Sequence, residues 1–493
     1  MKRLNSISFL AFLIVLYVSR NAIPYTIYPL IVLLLSFTLY QFTKIKSAKQ
    51  ALIKGFKIFS PAIFLIIIEL VALFCTVNPF KGYPLNFLKE ISFISIFMFL
   101  LSFHVQSKDD FKLLIQHIGK YFVLFSVIIA LLGLWNFFYS PSFISSYYVD
   151  GILRFKWGTS LVSDYNFFSL FLFNGLIFGL YKILCTPAKI KYKVLFLIAL
   201  QVIISAAILS GSRRLTICLG VFFIGSLLLL IPFIFKKVFF NRYAYKYFCL
   251  FLFLSIANLG VIYSFLSYFP LVSEKSEKIF FIDSKKVDVN ILSVSTRINS
   301  AVSYYLIDIH KKDKMLAIET DRKITAVSGN TAIDSSKTEE KEEIVPLTSS
   351  RQNLWALGKG IYNEYTILQK IVGRGFTFLD IFQKETERCF YPHYLFLSIL
   401  LFSGIAGLTI YIIILVSCSL IYLFHFKDLG VLFLLFVLNF TFGFFSFTDF
   451  FGATFYAFLI ILPLLYVYLH GYEKFFKEIF NRICSHRITK KND

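Results

Sequence analysis

Charge is scarce in this sequence, and acidic charge scarcest of all. Only 16% of its 493 residues are Asp, Glu, Lys or Arg, against about a quarter in ordinary soluble domains. With 58% hydrophobic residues, that scarcity excludes a water-soluble globular protein. The motifs HExxH, P-loop, GxGxxG and CxxC are absent, as is any acidic metal cluster, so neither a metal nor a bound nucleotide or other cofactor is expected. Cys75, Cys185, Cys218, Cys249, Cys389, Cys418 and Cys484 follow no paired or metal-type spacing. Only Cys389 falls in the one long polar loop, which argues against a disulfide framework there. Lys2 and Arg3 precede an apolar run, but no small-x-small cleavage site follows, so the run reads as a retained first helix. No internal repeat is evident.

What the sequence has in excess is apolar runs of roughly 17–25 residues, the length that crosses a hydrocarbon core of about 30 Å. They are continuous rather than alternating, which excludes a barrel. The expected fold is all-α: a polytopic membrane protein with about twelve spans. These lie near 5–19, 24–42, 58–77, 87–103, 120–138, 164–184, 194–210, 215–235, 247–268, 394–424, 429–447 and 452–470. Fifty basic residues against 28 acidic give a net charge of +22, yet the basic residues sit mainly in short loops on one side. Examples are Lys44 to Lys57, Lys189 to Lys193 and Lys474 to Lys491. This is the positive-inside pattern rather than a nucleic-acid footprint, and it places both termini in the cytoplasm. The opposite short loops hold only Arg20, Lys81, Lys89, Arg154, Lys156, Arg213 and Arg214.

The organisation expected is spans one to nine over 1–268, a large external loop over 269–392, spans ten to twelve over 393–470, and a basic cytoplasmic tail over 471–493. Within the loop, about 320–350 is rich in Ser, Thr, Glu and Lys, lacks the apolar content to fold, and reads as a mobile insert. Ser295 to His310 and Arg351 to Ile371 have helical apolar spacing and read as amphipathic helices on the membrane face.

Several external groups could carry chemistry. Ser210-Gly211-Ser212-Arg213-Arg214 is a tight hairpin between two spans. Its arginines are either headgroup anchors or an anion site, because a helix N-terminus and planar guanidinium forks both suit phosphate. Arg351 precedes the amphipathic Leu354-Trp355-Leu357 segment and is either a solvated loop residue or a cation held at headgroup depth. Arg297 has a similar, weaker setting. His393, between Pro392 and Tyr394 at the mouth of the tenth span, is either structural or a proton acceptor matched to neutral pH. Asp164 and Asn166 are candidate caps at a span entrance, and Arg154 and Lys156 could add positive charge. Gly404 and Gly407, with Ser403, read as close-packing positions between helices.

Taken together these elements resemble the O-antigen ligase and O-antigen polymerase superfamily of bacterial polysaccharide assembly. The elements are Ser212-Arg213; Arg351-Gln352-Asn353-Leu354-Trp355; Gly373-Arg374-Gly375-Phe376; His393-Tyr394; Gly404-Ile405-Ala406-Gly407; and, upstream, Arg154-x-x-x-Gly158 with Asn166. The match covers about Arg154 to Leu423. It departs from the family in reading His-Tyr for the usual His-Asn and in an expanded segment from Glu274 to Ser350.

The resemblance implies a metal-independent, inverting glycosyltransferase of the bacterial inner membrane, with its active site facing the periplasm. Its donor would be an undecaprenyl-diphosphate-linked glycan, and its acceptor lipid A-core or, in a polymerase, a second glycan. It also implies that Arg213 and Arg351 bind the diphosphate, with Arg214 beside them, Arg154, Asn166 and Arg297 as possible support, and His393 as general base. The alternative from another class is a lipid-linked glycan transporter or flippase. Such proteins use polar or broken helices at the midplane; these spans show little of either, Glu69 being the main charge within one.

Overall fold

A computed structural model describes residues 2–43, 48–77, 79–139, 147–149, 152–154, 158–162, 164–185, 190–234, 242–273, 351–386, 391–392, 394–444 and 455–471. The helices are α1 Lys2–Ser19, α2 Ile27–Phe42, α3 Ala48–Phe74, α4 Tyr83–His104, α5 Lys108–Tyr139, α6 Tyr165–Cys185, α7 Ile190–Leu209, α8 Arg213–Ile234 and α9 Arg242–Ser273. From residue 351 on come α10 Arg351–Asn363, α11 Ile367–Val372, α12 Thr377–Thr386, α13 Leu395–Phe424, α14 Phe426–Gly443 and α15 Tyr456–His470. A short antiparallel hairpin, β1 Tyr147–Val149 and β2 Ile152–Arg154, lies between α5 and α6, with Tyr147 opposite Arg154.

Every span expected from the sequence coincides with a helix. Among the described residues seven helices are long and apolar enough to cross a membrane, and α1, α2, α14 and α15 contain shorter apolar stretches. Large apolar side chains also cover the outside of the bundle, among them Leu35, Ile67, Ile198, Phe253 and Ile413. A surface as apolar as the interior needs lipid rather than water against it. Helices are the open-ended element that satisfies every backbone group without water. The chain is a helical, membrane-embedded protein.

Its centre is α6, buried along most of its length from Phe168 to Leu180 and packed against α5 and α7. Phenylalanines fill the interior: Phe122 meets Phe171, Phe178 and Phe455 at centroid distances of 4.8–5.3 Å. Two buried asparagines, Asn174 of α6 and Asn439 of α14, bond to each other through 2.7 and 3.4 Å contacts. An interhelical amide pair of this kind fixes register where lipid offers no alternative partner.

Two spans are not the straight rods the sequence suggested. α3 leaves helical geometry at Phe59, two residues before Pro61, because a proline ring obstructs the preceding turn. α13 breaks at Gly404, whose φ of 66° and ψ of −166° lie outside the helical region. In a straight helix Phe396 and Tyr411, fifteen residues apart, would be separated by roughly 22 Å. Their rings are 6.2 Å apart. The segment 395–403 is therefore folded back on 405–424 as a separate half-helix. Gly404 does pack closely, against Ile371 of α11, but it also breaks the span, which corrects the expectation that the spans show little breakage.

Candidate functional site

Three pieces of structure converge on the break in α13. The first is the Gly373-Arg374-Gly375 turn. Breaking a helix strands the carbonyls of its last turn, and here the turn and its neighbour supply donors. The Arg374 amide donates to Leu401 O at 3.3 Å, the Gly375 amide to Phe402 O at 3.0 Å, and the Tyr365 hydroxyl to Leu401 O at 3.2 Å. Burial pushes the Tyr365 phenol well above its ordinary pKa, with Arg374 pulling weakly the other way, so Tyr365 keeps its proton and remains a donor.

Only glycine fits where the backbones meet. A Cβ on Gly404 would lie 2.3 Å from Ile371 O, and one on Gly373 2.0 Å from Phe402 O; both residues also have positive φ. The second piece is the end of α3, where Thr76 Oγ1 accepts from the Phe376 amide at 3.0 Å. Phe376 then packs against Phe402, tilted, and Phe87, edge to face, with ring centroids 4.5 and 5.3 Å away.

The third piece is α10, which lies against the half-helix 395–403. Trp355 rests on Tyr394 with ring centroids 5.3 Å apart. Tyr394 in turn contacts Phe444 beyond α14 at 5.1 Å, and Leu395 N donates to Phe444 O at 2.9 Å. Arg351, the first residue of α10, stands four positions before Trp355, one helical turn away. Tyr394 is the residue that follows His393. Two donors here are buried without a hydrogen-bond partner among the described residues, the Trp355 indole N–H and the Ser398 hydroxyl. Unspent buried donors are rare in folded proteins. Arg297 and His393, together with the side chains of Arg154 and Arg351, lie outside the described residues.

The predicted segment Arg351 to Ile371 divides into α10 and α11. The divider is a capping box: Thr366 Oγ1 accepts from the Gln369 amide at 3.3 Å, and Gln369 Oε1 accepts from the Thr366 amide at 3.1 Å. Thr-x-x-Gln was the signal in the sequence that would have found it.

The Ser-Arg hairpin is held by its own set of hydrogen bonds. Ser212 Oγ accepts from the Leu215 amide at 3.3 Å, capping α8, and donates to Asn166 Oδ1 at 2.9 Å. Ser210 shares a 2.6 Å hydroxyl contact with Ser169. The loop 158–162 is tied to the same corner by Thr159, whose amide donates to Leu209 O and whose hydroxyl donates to Ala206 O. Of the two predicted caps, Asp164 does cap α6, through Oδ1 and the Asn166 amide at 2.9 Å. Asn166 instead holds the neighbouring helix.

Arg213 is exposed at the first position of α8, and Arg214 is half-buried. Arg213 pairs with no carboxylate among the described residues, whereas Arg20 is ion-paired with Glu90 and lies over the Tyr17 ring at 4.3 Å. α6 and α14, joined by the Asn174–Asn439 pair, both pack on α8, and α14 also packs on α13. Among the described residues no three His, Cys, Asp or Glu side chains gather as a metal site. Neither a protein-family model nor a curated protein matches this sequence.

Proposed function

We propose that the protein is a membrane-embedded glycosyltransferase of the O-antigen ligase type, acting on the periplasmic face of the bacterial inner membrane. In this reading all twelve apolar helices span, both termini are cytoplasmic, and the site opens outward. The donor is a glycan on undecaprenyl diphosphate, and the acceptor is a hydroxyl of lipid A-core. Arg213 and Arg351 hold the diphosphate leaving group, whose developing charge needs fixed donors in a partly dry site. His393 takes the acceptor proton, a contribution typically of about 10²–10⁴-fold. Direct attack at the anomeric carbon then inverts it.

The observation that carries the proposal is the Trp355–Tyr394 contact. It draws the helix that begins at Arg351 onto the residue next to His393, so two motifs forty residues apart meet at one point. It also gives Tyr394 a use where the resembling family has Asn. The Trp355 indole N–H and, one turn beyond Tyr394, the Ser398 hydroxyl have no hydrogen-bond partner among the described residues, and this reading assigns them to the hydroxyl-rich ligand.

The break at Gly404 gives the transporter reading one observation in its favour, since broken helices expose carbonyls to cargo. Here, however, the Leu401 and Phe402 carbonyls already accept from Tyr365, Arg374 and Gly375, which favours a static scaffold.

The test is transfer by purified protein supplied with a lipid-diphosphate donor and lipid A-core or glycan acceptors. Activity with lipid A-core is expected, while a preference for a second lipid-linked glycan would identify a polymerase. Absence of any transfer in an assay validated with a known ligase would sink the enzyme reading. His393→Ala should abolish transfer at unchanged membrane insertion. Arg213→Lys and Arg351→Lys should already impair donor use, because the planar fork is lost.

A further inference from the structure

α11 combines two features that water does not favour together. Three of its large apolar side chains are turned outward: Ile367 is 81% exposed, Leu368 69% and Ile371 49%. Beside them are two cations. Lys370 and Arg374 are half-buried, and neither pairs with a carboxylate among the described residues; Glu364 and Asp380, the acids nearest in sequence, are exposed.

The depth of this helix follows from its contact with the break. Ile371 O lies against Gly404, and the stretch from Ile405 to Phe424 rises roughly 30 Å, the thickness of a hydrocarbon core. In the topology proposed above, α11 therefore sits at the outer boundary of the bilayer, where acyl chains end and phosphates begin. Neighbouring apolar residues of the membrane surface, Val71 and Phe74 of α3 and Ile405 of α13, are exposed as well.

We infer that α11 and the turn after it form a docking site for an anionic phospholipid of the outer leaflet. Ile367, Leu368 and Ile371 take the acyl chains, and Lys370 and Arg374 take the phosphate. The charge sign selects the lipid: cations at a membrane surface favour anionic over zwitterionic headgroups by roughly five-fold each. The proposal uses none of the chemistry assigned to Arg213, Arg351 and His393, and its placement in the outer leaflet rests on the topology proposed above.

Native mass spectrometry of the full-length protein, released from nanodiscs of equal phosphatidylglycerol and phosphatidylcholine, tests it. Retained lipid should be enriched in phosphatidylglycerol by up to roughly 25-fold, the product of the two charges. Lys370→Gln with Arg374→Gln should reduce the ratio to near parity, while the Arg374 backbone bond to Leu401 keeps the turn folded. Lys370→Gln alone, which touches no part of the turn, should lower the ratio part of the way. Equal retention of the two lipids by the wild-type protein would overturn the proposal, as would an enrichment that survives both charge substitutions. Displacement of phosphatidylglycerol by inorganic phosphate alone would also overturn it, because the chains would then contribute nothing.

Discussion

Ser212 illustrates how much one hydroxyl does here. It accepts the Leu215 amide at the start of α8 and donates to Asn166 on α6, so it both caps one helix and ties it to another. Ser212→Ala should cost about 1 kcal/mol for the cap and a further ~1 kcal/mol for the tie. Thermal unfolding in detergent would register the loss as a lowered Tm. Trp355→Phe separates packing from chemistry at the other locus, since phenylalanine keeps a ring against Tyr394 and removes only the indole N–H. Stability should change little while transfer falls, measured as the initial rate with saturating donor; an unchanged rate would show that this donor serves no substrate. A Ser-Arg pair between two apolar runs marked the hairpin in the sequence. The partnership of Ser212 with Asn166, forty-six positions apart, could not be read there, because hydrogen-bond partners across helices depend on which helices become neighbours.

At the scale of elements the Gly404 break decides the architecture. Its stranded carbonyls need donors, and the Gly373-Arg374-Gly375 turn supplies them only because Gly373 and Gly404 approach closer than any side chain allows. Gly404→Ala forces a Cβ into positive φ, a cost of roughly 1–2 kcal/mol, and into contact with Ile371 O, which adds to it. Low yield or a markedly lower Tm is expected. Tyr365→Phe removes a single hydrogen bond to Leu401 O and should cost about 1 kcal/mol, a gentler probe of the same junction. In a run as apolar as Leu395–Phe424 the sequence reads as one long helix, since periodicity reports what is hydrophobic and not where the backbone turns. Gly404 alone carried no more signal than the glycines that remain helical.

At the scale of the whole molecule, the sidedness inferred from lysine and arginine placement can be checked with native cysteines. Cys75, after α3, and Cys185, ending α6, are both exposed and fall on opposite sides in the proposed topology. In variants retaining one of them, a membrane-impermeant maleimide applied from the periplasm should label Cys75 in intact spheroplasts and Cys185 only after permeabilisation. The reverse pattern would invert the protein and move the candidate site to the cytoplasm.

Composition and run length by themselves determined that this chain is a helical membrane protein and where its helices lie. A segment of about twenty apolar residues has few other ways to satisfy its backbone without water. Short-range signals went further: Asp164 before a span proved to be a cap. What only the tertiary structure decided is how those helices fit together. It paired Asn174 with Asn439, bent α13 at Gly404, and seated the Gly-Arg-Gly turn in the bend. It also laid Trp355 on Tyr394. Each depends on contacts between residues distant in the chain, and hydrophobicity, being non-directional, selects burial without selecting partners.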